Sequence, residues 1–179
     1  MAGPRRLAAG TILALAAATL PGAARAQVSE TEVKAAFLPR FARYVTWPTY
    51  QRPAAGQPFM VCVVGADPFG SALDRAAAGQ SVDGHRVAVR RINGGEASGC
   101  HIAFVQGSKT QPTGQLLAAF DARPVLTVTD ARAGSQRGII HFAVVSGRVR
   151  FFIDEKEAAR KSLSINSRLL ALAVGVRPR

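Results

Sequence analysis

The chain has 179 residues, of which 48% are hydrophobic and 19% charged, with a formal net charge of +12. That length points to one domain, and the composition excludes a disordered chain. Two cysteines exclude a dense disulfide scaffold and a four-thiolate metal site.

Residues 1–26 read as a secretory signal peptide. Arg5 and Arg6 precede an apolar run from Leu7 to Leu20, and Ala24-Arg25-Ala26 supplies an A-x-A cleavage site. The run falls short of the roughly 20 apolar residues a membrane span needs, and no later stretch reaches that length. The expected mature chain is residues 27–179, cut after Ala26, not membrane-spanning, and exported to the periplasm. It keeps a basic excess that is mostly arginine; over the full chain 19 of the 23 basic residues are Arg. Export argues against nucleic acid as the partner, and the charge is scattered rather than striped. Attraction to an anionic envelope surface or an acidic partner fits better. In an oxidising compartment Cys62 and Cys100 are most simply one disulfide. The competing reading is a redox or catalytic cysteine, although the spacing is not C-x-x-C.

Val33, Phe37, Phe41, Tyr44 and Val45 recur at helical spacing and predict a helix over 30–46. Ser29 and Glu32 form a capping box at its start, and Trp47-Pro48 ends it. Pro39 removes a donor inside it and predicts a kink. The apolar run Phe59–Val64 reads as a buried strand. Asp67-Pro68 opens a helix that carries Phe69, Leu73 and Ala76 to Gly79. Strands follow at 87–91, 101–105 and 124–128, with a helix at 111–120 between the last two. Runs 138–145 and 148–153 flank Ser146-Gly147 and predict a hairpin. Asp154 caps a helix to about Arg160, which explains the acidic cluster Asp154-Glu155-Glu157 by the helix dipole. A helix over 163–174 and a frayed tail from Gly175 close the chain. Strands alternating with helices predict an α/β fold: a three-layer sandwich with a mostly parallel central sheet, helices on both faces and a C-terminal antiparallel hairpin.

The chemistry search returns little. Gly65-Ala-Asp-Pro-Phe-Gly70 has the glycine spacing of a phosphate loop, but Ser71 and Ala72 stand where the lysine is needed. A turn into a capped helix explains the same residues. There is no G-x-S-x-G elbow and no H-E-x-x-H. The three histidines are His85, His101 and His141; His101 and His141 open or line predicted strands and read as strand histidines with ordinary hydrogen bonds. No catalytic set, cofactor or metal is expected. Trp47 reads first as a core aromatic. Its other reading is a ligand wall or partner anchor with its neighbours Arg43 and Tyr44, since such side chains dominate binding hot spots.

Several motifs in order resemble the YfiR family of periplasmic proteins. They are Lys34-Ala-Ala-Phe-Leu with Trp47-Pro48, Cys62 to Gly70, Cys100 to Val105, Leu126 to Asp130, Arg148 to Phe152, and Ile165 to Ala173. The resemblance covers about residues 29–174. It implies regulation rather than catalysis: repression of an inner-membrane diguanylate cyclase, or a related sensor, through its periplasmic domain, and so control of cyclic-di-GMP. It also implies a homodimer, sequestration by an outer-membrane lipoprotein, and pairing of Cys62 with Cys100. The chain departs from the pattern at Pro39, at Arg137, which stands before Gly138 where a Gly-Gly pair is common, and in lacking the second cysteine pair of the family's namesake. The alternative expectation is a sensor for a small ligand held at the carboxyl end of the first long strand, near Gly65 and Asp67. An exported hydrolase built on one of the three histidines is the third.

Overall fold

The computed structural model describes residues 29–92 and 98–179. The leader expected at 1–26, with its cleavage after Ala26, lies outside the described residues. The elements are α1 (Glu30–Phe41), β1 (Val45–Thr46), β2 (Phe59–Gly65), α2 (Ser71–Ala77), β3 (Ser81–Val82), β4 (His85–Ile92) and β5 (Ile102–Gln106). Then come α3 (Thr113–Ala118), β6 (Leu126–Asp130), β7 (Ile140–Val145), β8 (Arg148–Asp154), α4 (Glu155–Arg160), β9 (Ser164–Ile165), α5 (Ser167–Leu170) and β10 (Gly175–Arg177). Eight strands form one sheet in the order β10-β8-β7-β6-β5-β2-β4-β3. Its centre, β4-β2-β5-β6-β7, is parallel. The hairpin β7–β8 is antiparallel, as the Ser146-Gly147 turn predicts.

The pleat sorts the strands into two cores. Val61, Val63, Phe104, Val128, Phe142 and Phe151 face α1 and α2 in one cluster. Cys62, Val64, Ala103 and Val105 face α3, through Leu116 and Phe120, in another. The sheet therefore carries helices on both faces, as the alternation predicts. On the first face Phe37 and Phe41 of α1 lock onto Phe142 and Phe151 with ring centroids 5.4–6.0 Å apart.

Helix α1 begins with the predicted capping box: Ser29 Oγ accepts from the Glu32 amide, and Glu32 accepts from the Ser29 amide. It ends at Phe41, earlier than the pattern predicts. Pro39 offers no donor to the Ala35 carbonyl, and the chain tightens into a 3₁₀ turn over Ala42–Tyr44. Val45 and Thr46 then pair antiparallel with Ile165 and Ser164.

That pairing corrects the C-terminal reading as well. Residues 163–174 are not one helix. Ile165 is drawn into β9, Asn166 caps the four-residue α5, and the amide of Val174 turns to the Phe151 carbonyl. Gly175–Arg177 is no frayed tail but β10, parallel to β8 at Phe152–Asp154. The open edge of β8 attracts these backbone groups more strongly than helical composition holds them. The β3–β4 hairpin also escapes the periodicity, although Asp83-Gly84, both at positive φ, is a strong hairpin signal. The helix at 71–77 is capped by Gly70 rather than Asp67. Asp67 instead closes the preceding turn by accepting from the amides of Phe69 and Gly70.

One polar contact crosses the first core. Lys34 of α1 is 2% exposed and Asp130, at the end of β6, is fully buried, with Nζ 2.9 Å from Oδ2. Glu30 meets the same ammonium at 2.5 Å. Asp130 also accepts from the amide and Nε of Arg132. Burial pushes the Asp130 carboxyl upward, but the Lys34 hydrogen bond and charge, then Arg132, outweigh it and hold it below the ordinary value. Lys34→Ala leaves that carboxylate short of its main partner and is expected to cost about 3–5 kcal/mol. The double variant Lys34→Met with Asp130→Leu is expected to lose less, because no charge stays buried. Urea midpoints of the three chains check both. Because the folded value of Asp130 is depressed, its contribution is present above about pH 3.9 and is lost as pH falls through the folded value.

Candidate functional site

The 3₁₀ turn, β1, and the β3–β4 turn enclose a cleft of about 470 Å³. Its lining includes Arg43, Trp47, Arg52, Asp83, His85 and His101. The floor is an aromatic ladder. Trp47 meets Phe59 edge-on at 5.1 Å, and Phe59 stacks on His101 at 4.5 Å. Trp47 is only 5% exposed, and its indole N–H has no acceptor among the described residues. It is thus both a core aromatic and a cleft wall. Arg43 and Arg52 are exposed at the rim, where Arg43 donates to Gln80 Oε1 and Arg52 to the Trp47 carbonyl. With Asp83 the lone acid among the lining residues, the cleft is basic.

His101 is held by backbone. Its amide donates to the Met60 carbonyl at 3.0 Å, and the Met60 amide donates back to Nδ1 at 2.9 Å. The ring thus extends the β2–β5 ladder by one step. The ring nitrogen that accepts carries no proton, so the proton sits on Nε2. Burial lowers its pKa below the ordinary value. His141 is likewise lowered, by burial and then by Arg137. Its Nδ1 lies 2.9 Å from Thr129 Oγ1, in hydrogen-bond contact, and that hydroxyl also accepts from the Gly138 amide. Both histidines are the hydrogen-bonded strand histidines that their positions predict.

The residues anticipated for partner contact divide. Arg43 and Trp47 share the cleft. Tyr44 lies partly buried against the first core, and its carbonyl accepts from the Asn166 amide. Gly65 and Asp67 do not line this cleft. A Cβ on Gly65 would sit 2.2 Å from the Gln106 carbonyl oxygen, so close strand packing requires glycine there. Asp67 is engaged by Arg91 at 2.7 Å as well as by its own turn. Cys62 and Cys100 form a disulfide, with Cα atoms 5.8 Å apart and both residues fully buried beneath α3. Arg52, Asp83 and His85 were not singled out as one site by spacing. The Asp-Gly turn that carries Asp83 to the rim was the available signal. Among the described residues no group of three or more His, Cys, Asp or Glu could hold a metal, and no helix is long and apolar enough to cross a membrane.

The profile of one protein family, described as YfiR/HmsC-like, matches residues 31–174, which takes in every element from α1 to α5 and both cysteines. No curated protein matches the chain.

Unfolded histidine titrates near 6.5, and the two folded rings lie lower. Unfolding therefore takes up protons, and stability falls as pH drops below about 6.5 toward the folded values. Urea midpoints at pH 7.5 and 5.5 are expected to show this loss. His101→Asn keeps an acceptor for the Met60 amide without a titrating ring and is expected to reduce the slope. Reducing the disulfide at neutral pH is expected to cost about 4 kcal/mol for a loop of this length.

Proposed function

The chain belongs to the YfiR/HmsC-like family, and from that premise we propose that it is a periplasmic regulator that works by binding rather than by catalysis. Its target is the periplasmic domain of an inner-membrane diguanylate cyclase or related sensor, which it represses, so that its output is the cytoplasmic level of cyclic-di-GMP. The observation that carries this reading is the family match across nearly the whole domain. The family's character is periplasmic and regulatory. The disulfide supports an oxidising compartment. An outer-membrane lipoprotein that sequesters the chain, and a homodimer, complete the proposal.

The rim of the Trp47 cleft is the proposed contact for the partner. Arg43 and Arg52 present guanidinium groups beside an aromatic floor, and Arg and Trp are enriched among binding hot spots. A second reading is favoured by the cleft itself. A basic pocket of this size, with an indole N–H that meets no acceptor among the described residues, suits a small anionic ligand whose occupancy biases partner binding.

Crosslinking across the envelope of living cells, followed by mass spectrometry, tests the first reading. The expected product is a membrane protein with a periplasmic sensor domain and a diguanylate cyclase domain. Its absence, with the protein abundant and folded, counts against the regulator. Arg43→Glu changes an exposed side chain and is expected to reduce the crosslink about tenfold without altering the urea midpoint. Trp47→Ala is the poorer probe, because emptying so buried a site costs about 3–5 kcal/mol by itself. Thermal shifts across small organic anions test the second reading, and a flat response removes it.

A further inference from the structure

On the second face of the sheet the apolar cluster under α3 is built on β2 and β5. Across β7 and β8 the strands bury their first face through Ile140, Phe142, Phe151 and Ile153. The alternating residues stand on the other side. In register across the hairpin these are His141 beside Phe152, Ala143 beside Arg150, and Val145 beside Arg148. Gly175 and Arg177 of β10 continue the rows beside Phe152 and Asp154. This side is neither a second apolar core nor a neutral surface. Arg137 lies with its guanidinium carbon 5.6 Å from the Phe152 ring centroid. Arg137, His141, Phe152, Asp154 and Arg177 line an open cleft of about 510 Å³. Arg137, Arg148, Arg150 and Arg177 are all exposed.

The charge is lopsided. Asp154 is the one acid in that lining, and its two oxygens are already engaged by the Glu157 amide and by Arg177. Among the described residues no carboxylate lies within 4.0 Å of Arg137, Arg148 or Arg150. Alternate residues of a strand stand about 6.7 Å apart, which is also the spacing of alternate side chains on any extended chain laid alongside. Guanidinium groups match carboxylates through paired hydrogen bonds. Half-buried Phe152 and Ala143 give small apolar contacts between them, without an exposed aromatic long enough to anchor in a bilayer.

We propose that this helix-free face of β7, β8 and β10 docks an acidic, extended protein segment, with carboxylates on Arg137, Arg150 and Arg148 and the chain passing over Phe152. It deepens the reading that the chain acts by binding a protein partner. It assigns a second surface, distinct from the Trp47 cleft.

The test is fluorescence anisotropy at low salt with a labelled twelve-residue peptide alternating glutamate and serine, using the purified chain. Arg137→Glu with Arg150→Glu is expected to weaken binding at least about tenfold, since charge reversal at a docking surface acts locally. Arg40→Glu with Arg123→Glu makes the same net charge change at exposed positions elsewhere and is expected to change it less than about threefold. Equal loss in both variants, or no binding by the unaltered chain, overturns the proposal. So does binding to phosphatidylglycerol vesicles without binding to the peptide. Urea midpoints matching the unaltered chain confirm that both variants are folded. Because the assay uses one purified protein, its failure leaves the regulator reading standing, and that reading fails separately in the cellular crosslinking.

Discussion

The fold depends on a charge that has nowhere else to go. Lys34 reaches through the first core to Asp130, so α1 sits on the sheet in a single position. Apolar packing alone fixes a helix only loosely in rotation and translation, because many registers bury similar area. A buried ammonium tolerates only the register in which it meets its carboxylate. Everything next in the chain inherits that choice. The 3₁₀ turn, β1 and Trp47 leave α1 in a direction set by the pair, and the aromatic ladder of the cleft follows from where Trp47 lands.

Asp130 has a second task. Its other oxygen caps the turn after β6 through the Arg132 amide. That turn leads to Arg137 and into β7, so one carboxylate connects the first helix with the segment that carries the basic face. The sheet itself is asymmetric. Its parallel half is a filled sandwich stapled by the disulfide beneath α3. Its antiparallel half is covered on one side only, which an antiparallel sheet tolerates and a parallel one rarely does. The two candidate surfaces follow from these two facts: one at the cleft where chain segments converge, one on strands left uncovered.

A binding protein suits this distribution of polarity. The buried polar groups at the sheet are consumed by structure. His101 completes a ladder and His141 is tied to Thr129, while at the surface Asp67 and Asp74 hold Arg91. Among the described residues Arg137, Arg148 and Arg150 reach solvent without a carboxylate partner, and exposed guanidinium groups are suited to recognising carboxylates and other anions.

The residues alone determined the alternation of strands and helices, the two hydrophobic periods, the capping box at Ser29, the N-cap at Asp154, and the Ser146-Gly147 hairpin. These are local: each is settled within a few residues by backbone donors, side-chain acceptors and turn geometry. The order of motifs also placed the chain in its family. The pairing of Cys62 with Cys100 was legible once export was read from the leader. Only the tertiary structure decided the rest. An apolar stretch at 163–174 looks helical in isolation, yet the open edges of β1 and β8 draw its two ends into strands. Lys34 and Asp130 lie 96 positions apart and show no pattern that links them. Arg43, Trp47 and His85 meet only because β1 and the β3–β4 turn are brought to the same end of the sheet. Contacts of that kind are settled by which distant groups share a low-dielectric space, and no window of sequence contains them.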